Sequence, residues 1–284
     1  MPGRYGHEYA GDIVALGSEV KDWKVGDRVT AESACSCNEC DWCVQGDMGL
    51  CETFLERWGA SAGGFATYTK TKYQQLHKLP PGLSYEEASI TEPTAVALHA
   101  VRLSGMLTGD IVAVLGLGPI GQLVARLAKI SGARAVYTSE TSKSRIKLAK
   151  GAVDEVIDAK KVDPAARILE LTDGRGPDLV FECAGAVAPT MQAMTMTRKG
   201  GTIVIVGVCM NLAEIIVGSI ALRELTIKGS MLFNPGEYGI ALDLIAGKKI
   251  DVAPLITDIL PLDRINEAFE KATSGEGAKV LVKP

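Results

Sequence analysis

The chain has 284 residues, of which 47% are hydrophobic and 23% charged, and this predicts a folded protein long enough for two domains. Its formal net charge is −4, so no basic surplus is available for phosphates and we expect no nucleic-acid partner. The first residues carry no apolar core of the signal-peptide kind, and we expect a cytoplasmic protein. A long apolar stretch, residues 202–222, is interrupted by Asn211 and Glu214. This pattern favours a strand, a loop and a short helix over a membrane span.

Residues 1–90 combine glycine-containing turns with short β-like runs, which predicts a small, mostly β region. The expected strands are Asp12–Leu16, Arg28–Ala31 and Phe65–Lys70. The dipeptides Gly26-Asp27 and Gly63-Gly64 supply turns between them.

Four cysteines of this region follow the spacing C-x2-C-x2-C-x7-C, at Cys37, Cys40, Cys43 and Cys51. Four thiolates this close can surround one ion tetrahedrally and leave no position for a substrate, which predicts structural zinc. Bacterial ferredoxins share the first spacings, but there the last gap is shorter and proline follows the last cysteine, whereas Glu52 follows Cys51. An iron–sulfur cluster and unmetallated thiols remain the alternatives.

From about residue 94, short apolar runs alternate with segments of helical periodicity, which predicts a doubly wound parallel sheet covered by helices. The expected strands are Ile111–Leu115, Ala135–Thr138, Glu155–Ile157, Leu179–Phe181, Thr202–Val206 and Leu225–Ile227. The expected helices are Gln122–Ile130, Ser144–Lys150, Pro164–Leu171 and Pro189–Thr197. Beyond residue 234 we expect helices at Tyr238–Ala246 and Asp263–Ala272, and a final strand at Lys279–Val282.

The first of these strands runs into G-x-G-x-x-G and then into a helix, which is the context of a dinucleotide-binding fingerprint. Glu140 follows the second strand, where a carboxylate would accept hydrogen bonds from the ribose and repel a 2′-phosphate, so NAD is the expected cofactor. A glycine-rich surface turn and a solvated glutamate are the alternatives. The expected cofactor contacts are Gly116, Gly118, Pro119, Ile120, Gly121, Glu140, Arg145 and Val206.

A second metal site is suggested by Gly6-His7-Glu8 and by Glu92, which precedes Pro93 at an expected helix start. Imidazole and carboxylate ligands with one open position would suit catalytic zinc. A lone histidine is more often structural than a ligand. An acidic residue beside a helix N-terminus is favourable by itself, so a purely structural role for Glu92 stays open.

Together these residues resemble the zinc-containing medium-chain dehydrogenase/reductase family over nearly the whole chain. Gly6-His7-Glu8-x2-Gly11-x5-Gly17-x2-Val20 is similar to the family's zinc signature, and Gly26-Asp27-Arg28-Val29 to the turn and strand that follow it. Glu92-Pro93 leading to His99-Ala100 resembles the polyol branch, the enzymes similar to sorbitol, butanediol and threonine dehydrogenases. The resemblance implies a GroES-like β-barrel formed by residues 1–93 and 235–284, and a Rossmann domain formed by residues 94–234.

The resemblance also implies the chemistry. His7 and Glu92 would bind catalytic zinc, Glu8 would be a ligand or its neighbour, and the four cysteines would bind structural zinc. The reaction would be reversible oxidation of a secondary alcohol or polyol with NAD, by a homodimer or homotetramer. The family carries a further segment, with a zinc-ligating cysteine, before Gly-His-Glu. Because no counterpart precedes His7, we expect an impaired catalytic zinc site and keep a catalytically inactive remnant as the alternative. A zinc-free reductase is disfavoured by the cysteines.

Overall fold

The computed structural model describes residues 5–32, 36–54, 56 and 63–284, and it contains two compact units. Unit 1 comprises Met1–Val96, Leu232–Phe269 and Val280–Pro284. Unit 2 comprises Ala97–Met231 and Glu270–Lys279. The expected domain boundaries, after residues 93 and 234, stay a prediction.

The described part of the chain contains eleven strands and ten α-helices. The strands are β1 Ala10–Asp12, β2 Arg28–Ala31, β3 Leu76–Lys78, β4 Ile111–Leu115, β5 Ala135–Glu140, β6 Glu155–Asp158, β7 Leu179–Glu182, β8 Thr202–Ile205, β9 Thr226–Gly229, β10 Ile256–Pro261 and β11 Lys279–Lys283. The helices are α1 Asp41–Gln45, α2 Tyr85–Ala88, α3 Thr91–Ser104, α4 Pro119–Ile130, α5 Lys143–Ala149, α6 Pro164–Leu171, α7 Val187–Met196, α8 Val217–Arg223, α9 Glu237–Ala246 and α10 Ile265–Thr273. No helix in the described ranges has both the length and the apolar character that a membrane crossing requires.

Unit 1 is built on a three-stranded antiparallel sheet of order β1-β2-β3, while β10 pairs with β11. Ala10 stands opposite Thr30, and Val29 stands opposite Lys78. Val29, Thr30 and Ala31 are all buried, so both faces of β2 are covered, and this central strand pairs with both neighbours.

Two expected strands of this unit were wrong. The strand predicted at Asp12–Leu16 lies earlier, at Ala10–Asp12. The amide of Ile13 still donates to the carbonyl of Asp27, but residues 14–16 are not in a strand. Phe65–Lys70 is not a strand. The amides of Gly64 and Phe65 bond to the carbonyls of Gly6 and Tyr5, but among the described residues this pairing does not continue into a ladder. A short β-like run without an extended pairing partner does not make a strand.

Unit 2 contains the predicted six-stranded parallel sheet, in the order β6-β5-β4-β7-β8-β9. All five residues of β4 are buried, as expected for a strand that helices cover on both faces. The apolar stretch 202–222 forms strand β8, a loop and helix α8, as predicted. The chain runs outward from β4 to β6 and then returns to β7 on the other side of β4. Ligands of such sheets bind at the carboxyl ends of the strands beside this reversal.

Candidate zinc and dinucleotide sites

The structure brings the four predicted cysteines together in one loop. The sulfur atoms of Cys37, Cys40, Cys43 and Cys51 all lie within 4.8 Å of one another. The Sγ atoms of Cys37 and Cys43 are 3.7 Å apart. Four thiolates at the usual Zn–S distance in a tetrahedron would be about 3.8 Å apart, so the arrangement fits a zinc ion.

The surroundings of these sulfurs also suit a cation. The amides of Cys40 and Glu39 donate to Sγ of Cys37, and these bonds lower the pKa of the Cys37 thiol to about 6. Burial raises the pKa of Cys43 to about 12, so the protein alone does not favour its thiolate. A bound metal cation supplies the missing charge compensation for a buried thiolate. The donor set therefore fits zinc, and the role of each cysteine stays a prediction.

His7, Glu8 and Glu92 form a second cluster, called here the His7 cluster, whose ligand atoms lie within 4.8 Å of one another. Nε2 of His7 is 3.7 Å from Oε1 of Glu92. The Glu92 side chain is 4% exposed and that of His7 42% exposed, so a buried carboxylate faces a half-exposed imidazole. Glu92 lies in the first turn of α3, where the helix dipole also favours its charge. For Glu92, a structural role at the start of the helix and a role as a metal ligand are therefore compatible.

A buried hydrogen-bond network supports this cluster, and sequence reasoning missed it. The hydroxyl of Thr30 donates to the carbonyl of Tyr9 at 2.8 Å and lies 2.7 Å from the hydroxyl of Tyr238, which is 3.0 Å from the carbonyl oxygen of Ala31. Burial, and to a smaller extent the charge of Glu92, raises the pKa of Tyr238. Thr30 and Tyr238 are 208 positions apart, so no local pattern could have revealed the contact.

The glycine fingerprint, Gly116 to Gly121, forms the turn between β4 and α4. Gly116 has φ +91°, and a Cβ there would lie 2.8 Å from Cα of Ala184. A Cβ on Gly121 would lie 1.9 Å from the carbonyl oxygen of Gly116, so neither position accepts a side chain. Gly118 caps α4 and Pro119 occupies its first turn, with Ile120 next. The free amides at such a helix start suit a pyrophosphate.

Glu140 ends β5 and is buried rather than solvated, so the alternative of a solvated glutamate was wrong. Its Oε2 accepts the amide of Leu117 at 2.8 Å, inside the fingerprint. Its Oε1 accepts the amides of Thr141 and Ser142 at 2.6 and 2.9 Å. The carboxylate is thus a structural part of the turn.

Two further predicted contacts lie near the same end of the sheet. A Cβ at Gly118 would be 3.9 Å from Nη1 of Arg145, so this guanidinium stands beside the turn. Its Nε donates to the carbonyl of Gly277. Val206 directly follows β8, and its amide donates to the carbonyl of Glu182. The part that these residues play in cofactor binding stays a prediction.

Glu182, at the carboxyl end of β7, was not predicted. It is fully buried, and Oε1 accepts the amides of Ala184 and Gly185 at 2.9 Å each. Oε2 has no hydrogen-bond partner among the described residues, and burial raises the pKa of the carboxyl group. The sequence feature that could have revealed Glu182 is its position as a carboxylate directly after an apolar run.

Comparison with known proteins identifies the family. The family model described as alcohol dehydrogenase GroES-like domain matches residues 1–81, and the model described as zinc-binding dehydrogenase matches residues 119–247. A sorbitol dehydrogenase of Halalkalibacterium halodurans is 36% identical over 292 residues, covering 100% of this chain and 84% of the relative. The chain belongs to the zinc-containing medium-chain dehydrogenases. Its predicted resemblance to the polyol branch and its fold class are confirmed.

Other relatives agree with this membership. A D-arabitol-phosphate dehydrogenase of Enterococcus avium is 35% identical, with 98% of this chain and 80% of the relative covered. The crystal structure of 2R,3R-butanediol dehydrogenase from Bacillus subtilis is 36% identical, with a TM-score of 0.90 over 100% of this chain and 81% of that one. A Sinorhizobium meliloti dehydrogenase structure bound to NADP is 33% identical, with a TM-score of 0.92 over 100% of this chain and 84% of that one. The protein is an oxidoreductase of this zinc-dependent type.

Proposed function

We propose that the protein oxidises a secondary alcohol of a diol or polyol to a ketone, with NAD as the hydride acceptor. The observation that carries the proposal is the His7 cluster, in which an imidazole and two carboxylates converge within 4.8 Å. Relatives named for sorbitol, arabitol phosphate and butanediol support a polyhydroxylated substrate. The alternative, a catalytically inactive remnant, has no positive support among these observations.

His7 and Glu92 would hold the catalytic zinc, with Glu8 as a third ligand. Bound zinc supplies Lewis-acid polarisation of a substrate oxygen. A nicotinamide cofactor would supply the hydride acceptor for the carbinol carbon, and the hydroxyl proton would pass to solvent. The buried Glu92 carboxylate contributes a fixed negative charge, and the half-exposed His7 leaves one side of the cluster accessible. The four cysteines would hold a separate structural zinc.

We propose NAD rather than NADP because the charge of Glu140 would face a 2′-phosphate. Lys143 and Arg145 follow closely in the chain, so we expect discrimination rather than exclusion. Fluorescence titration with both reduced cofactors tests this preference, and equal affinity or tighter binding of NADPH would contradict it.

Steady-state oxidation of a panel of small diols and polyols, with NAD and added zinc, tests the activity itself. We expect turnover with at least one vicinal diol, and loss of kcat in Glu92→Gln with little change in NADH affinity. Glu86→Gln is a matched control, because Glu86 is a carboxylate of the same unit that pairs with Lys283 and stands apart from the His7 cluster. Turnover retained in Glu92→Gln, or absent from the whole panel in the zinc-loaded wild type, would contradict the proposal.

We also propose a homodimer or homotetramer. Strand β9 is an edge of the sheet in unit 2. Large apolar side chains are highly exposed in the preceding segment, among them Val208, Met210, Leu212, Ile216, Val217 and Leu222. An apolar surface beside an open edge suits a second copy related by a two-fold axis. Light scattering should give a dimer or tetramer mass that falls in Leu212→Glu, whose side chain is 97% exposed. A monomeric wild type would contradict this.

A cytoplasmic location is part of the proposal, because the cysteines of the predicted metal loop are free and a reducing compartment keeps them so. Fractionation of cells that express the native gene tests it, and recovery in an oxidising compartment would contradict it.

A further inference from the structure

A cavity of about 640 Å³ lies in unit 2, at the end of the sheet where strands β7 and β8 begin. The glycine fingerprint lies at the opposite end, where the strands finish. Its wall is formed by the residues that precede β7 and β8 and by the ends of α6, α7 and α8. Four cationic side chains line it: Arg175, Arg198, Lys199 and Arg223. We refer to these four residues and the space between them as the basic cavity.

A buried carboxylate positions two of the guanidinium groups. Asp178 is 8% exposed, and its Oδ1 lies 2.6 Å from both Nη2 of Arg175 and Nε of Arg198. Its Oδ2 accepts the amide of Ile111 at 2.9 Å. Burial by itself would raise the pKa of Asp178, but the bonds from Arg175, the amide and Arg198 lower it more. One ionised carboxylate therefore holds two arginines and balances only one of their charges.

The other two cations add to this excess. Arg223 donates to the carbonyls of Met194, Thr195 and Thr197, at the carboxyl end of α7. These bonds satisfy carbonyls that the helix leaves unpaired and offset the negative end of its dipole. Lys199 is exposed, and its amino group has no ion-pair partner in the part of the chain that the structure describes. The charge of Asp110 also acts on Arg175, so four cations face two carboxylates and the excess is two positive charges.

Donor groups also remain available. Arg198 uses Nε for Asp178 and Nη1 for the carbonyl of Lys199, so its Nη2 has no partner among the described residues. The side chain of Arg175 is 49% exposed, and its Nε has no hydrogen-bond partner among the described residues. Guanidinium groups held in fixed orientations beside a lysine match the geometry and charge of a phosphate group.

We propose that the basic cavity binds a small phosphorylated molecule, at a site separate from the dinucleotide site. Its volume falls within the range of pockets that take small molecules. In a parallel sheet all amino ends of the strands lie at one end of the sheet and all carboxyl ends at the other. The basic cavity and the fingerprint therefore lie at opposite ends of the same sheet. A ligand here would not compete with the cofactor.

Isothermal titration of the full chain with pyrophosphate and with inorganic phosphate, at low ionic strength, tests the proposal. Saturating NADH blocks the fingerprint during the titration. We expect binding to persist with NADH present. Charge reversal in Lys199→Glu should weaken it by roughly tenfold or more, because charge-assisted bonds to phosphate are strong. The matched control is Lys249→Glu, which makes the same charge change at an exposed lysine of unit 1.

Three outcomes would overturn the proposal. Loss of all phosphate binding on adding NADH would assign it to the fingerprint. Unchanged affinity in Lys199→Glu would remove the basic cavity as its location. Equal weakening in Lys199→Glu and Lys249→Glu would show a general effect of net charge. Both lysines are exposed, so neither variant should unfold, and thermal melts of both variants verify this.

Discussion

Replacing Glu140 with glutamine should destabilise the glycine turn and weaken the preference for NAD at the same time. The carboxylate accepts three amides, from Leu117, Thr141 and Ser142, at 2.8, 2.6 and 2.9 Å. Hydrogen bonds to a charged acceptor contribute about 1.5–3 kcal/mol each, and neutral ones about 1 kcal/mol. Glutamine keeps one acceptor oxygen but turns an NH2 group toward another amide, so a buried N–H loses its partner. We expect the free energy of unfolding to fall by about 2–4 kcal/mol.

The cofactor effect follows from the same change. Removing the negative charge should improve the affinity for NADPH relative to NADH by about tenfold, or about 1.4 kcal/mol. This is the size expected for partly screened like charges near a surface. Urea unfolding measures the first effect, and fluorescence titration with both reduced cofactors measures the second.

The control for both effects is Asp158→Asn. Asp158 stands opposite Glu140 in the register of β5 and β6, and it pairs with Lys161. The substitution therefore removes a nearby negative charge without touching the glycine turn. If Asp158→Asn shifts the cofactor ratio as much as Glu140→Gln, or if Glu140→Gln leaves that ratio unchanged, the specific role of Glu140 is refuted.

Three other substitutions test separate parts of the structure. Cys40→Ser should release one zinc per chain and lower the melting temperature, since structural ligands contribute folding free energy; unchanged zinc by elemental analysis would contradict this. Tyr238→Phe removes the hydroxyl shared with Thr30 and should cost about 1–3 kcal/mol while weakening zinc at the His7 cluster and sparing the cysteine zinc; metal analysis distinguishes the two. Glu182→Gln should stabilise the protein relative to wild type increasingly as pH rises. Because burial raises the native pKa of Glu182, the unfolded state loses this proton first, and wild-type stability falls between the ordinary glutamate pKa of 4.5 and the raised native value. Urea unfolding at several pH values measures the free energy of unfolding of both proteins. A difference between them that does not change with pH would contradict this.

The elements of unit 2 could be predicted because their sequence signals are local. A continuous apolar run such as Ile111–Leu115 specifies a strand that is buried on both faces, and the glycines after it specify the turn. The structure extends β5 to Glu140, two residues beyond the predicted end, and ends α5 at Ala149, one residue earlier than predicted. Boundaries vary because they depend on caps and on neighbouring strands rather than on periodicity.

Unit 1 was harder to predict because its short strands depend on partners that are distant in sequence. The β-like residues of Phe65–Lys70 predicted a strand, yet in the structure this segment forms none. The spacing of Cys37 to Cys51 could be recognised from the sequence, because all four cysteines lie within one short segment. Nothing in the local sequence around His7 or Glu92 indicates that the two side chains meet, and only the family resemblance predicted that they share one zinc ion.

A specific series of contacts brings them together. Ala95, on the helix that carries Glu92, belongs to the same buried hydrophobic cluster as Tyr238. The hydroxyl of Tyr238 reaches Thr30 on β2, and the hydroxyl of Thr30 holds the carbonyl of Tyr9, two residues after His7. The position of His7 relative to Glu92 therefore depends on α9, a helix near the other end of the chain. This dependence is why Tyr238→Phe, which leaves every predicted zinc ligand in place, should still weaken metal binding at the His7 cluster.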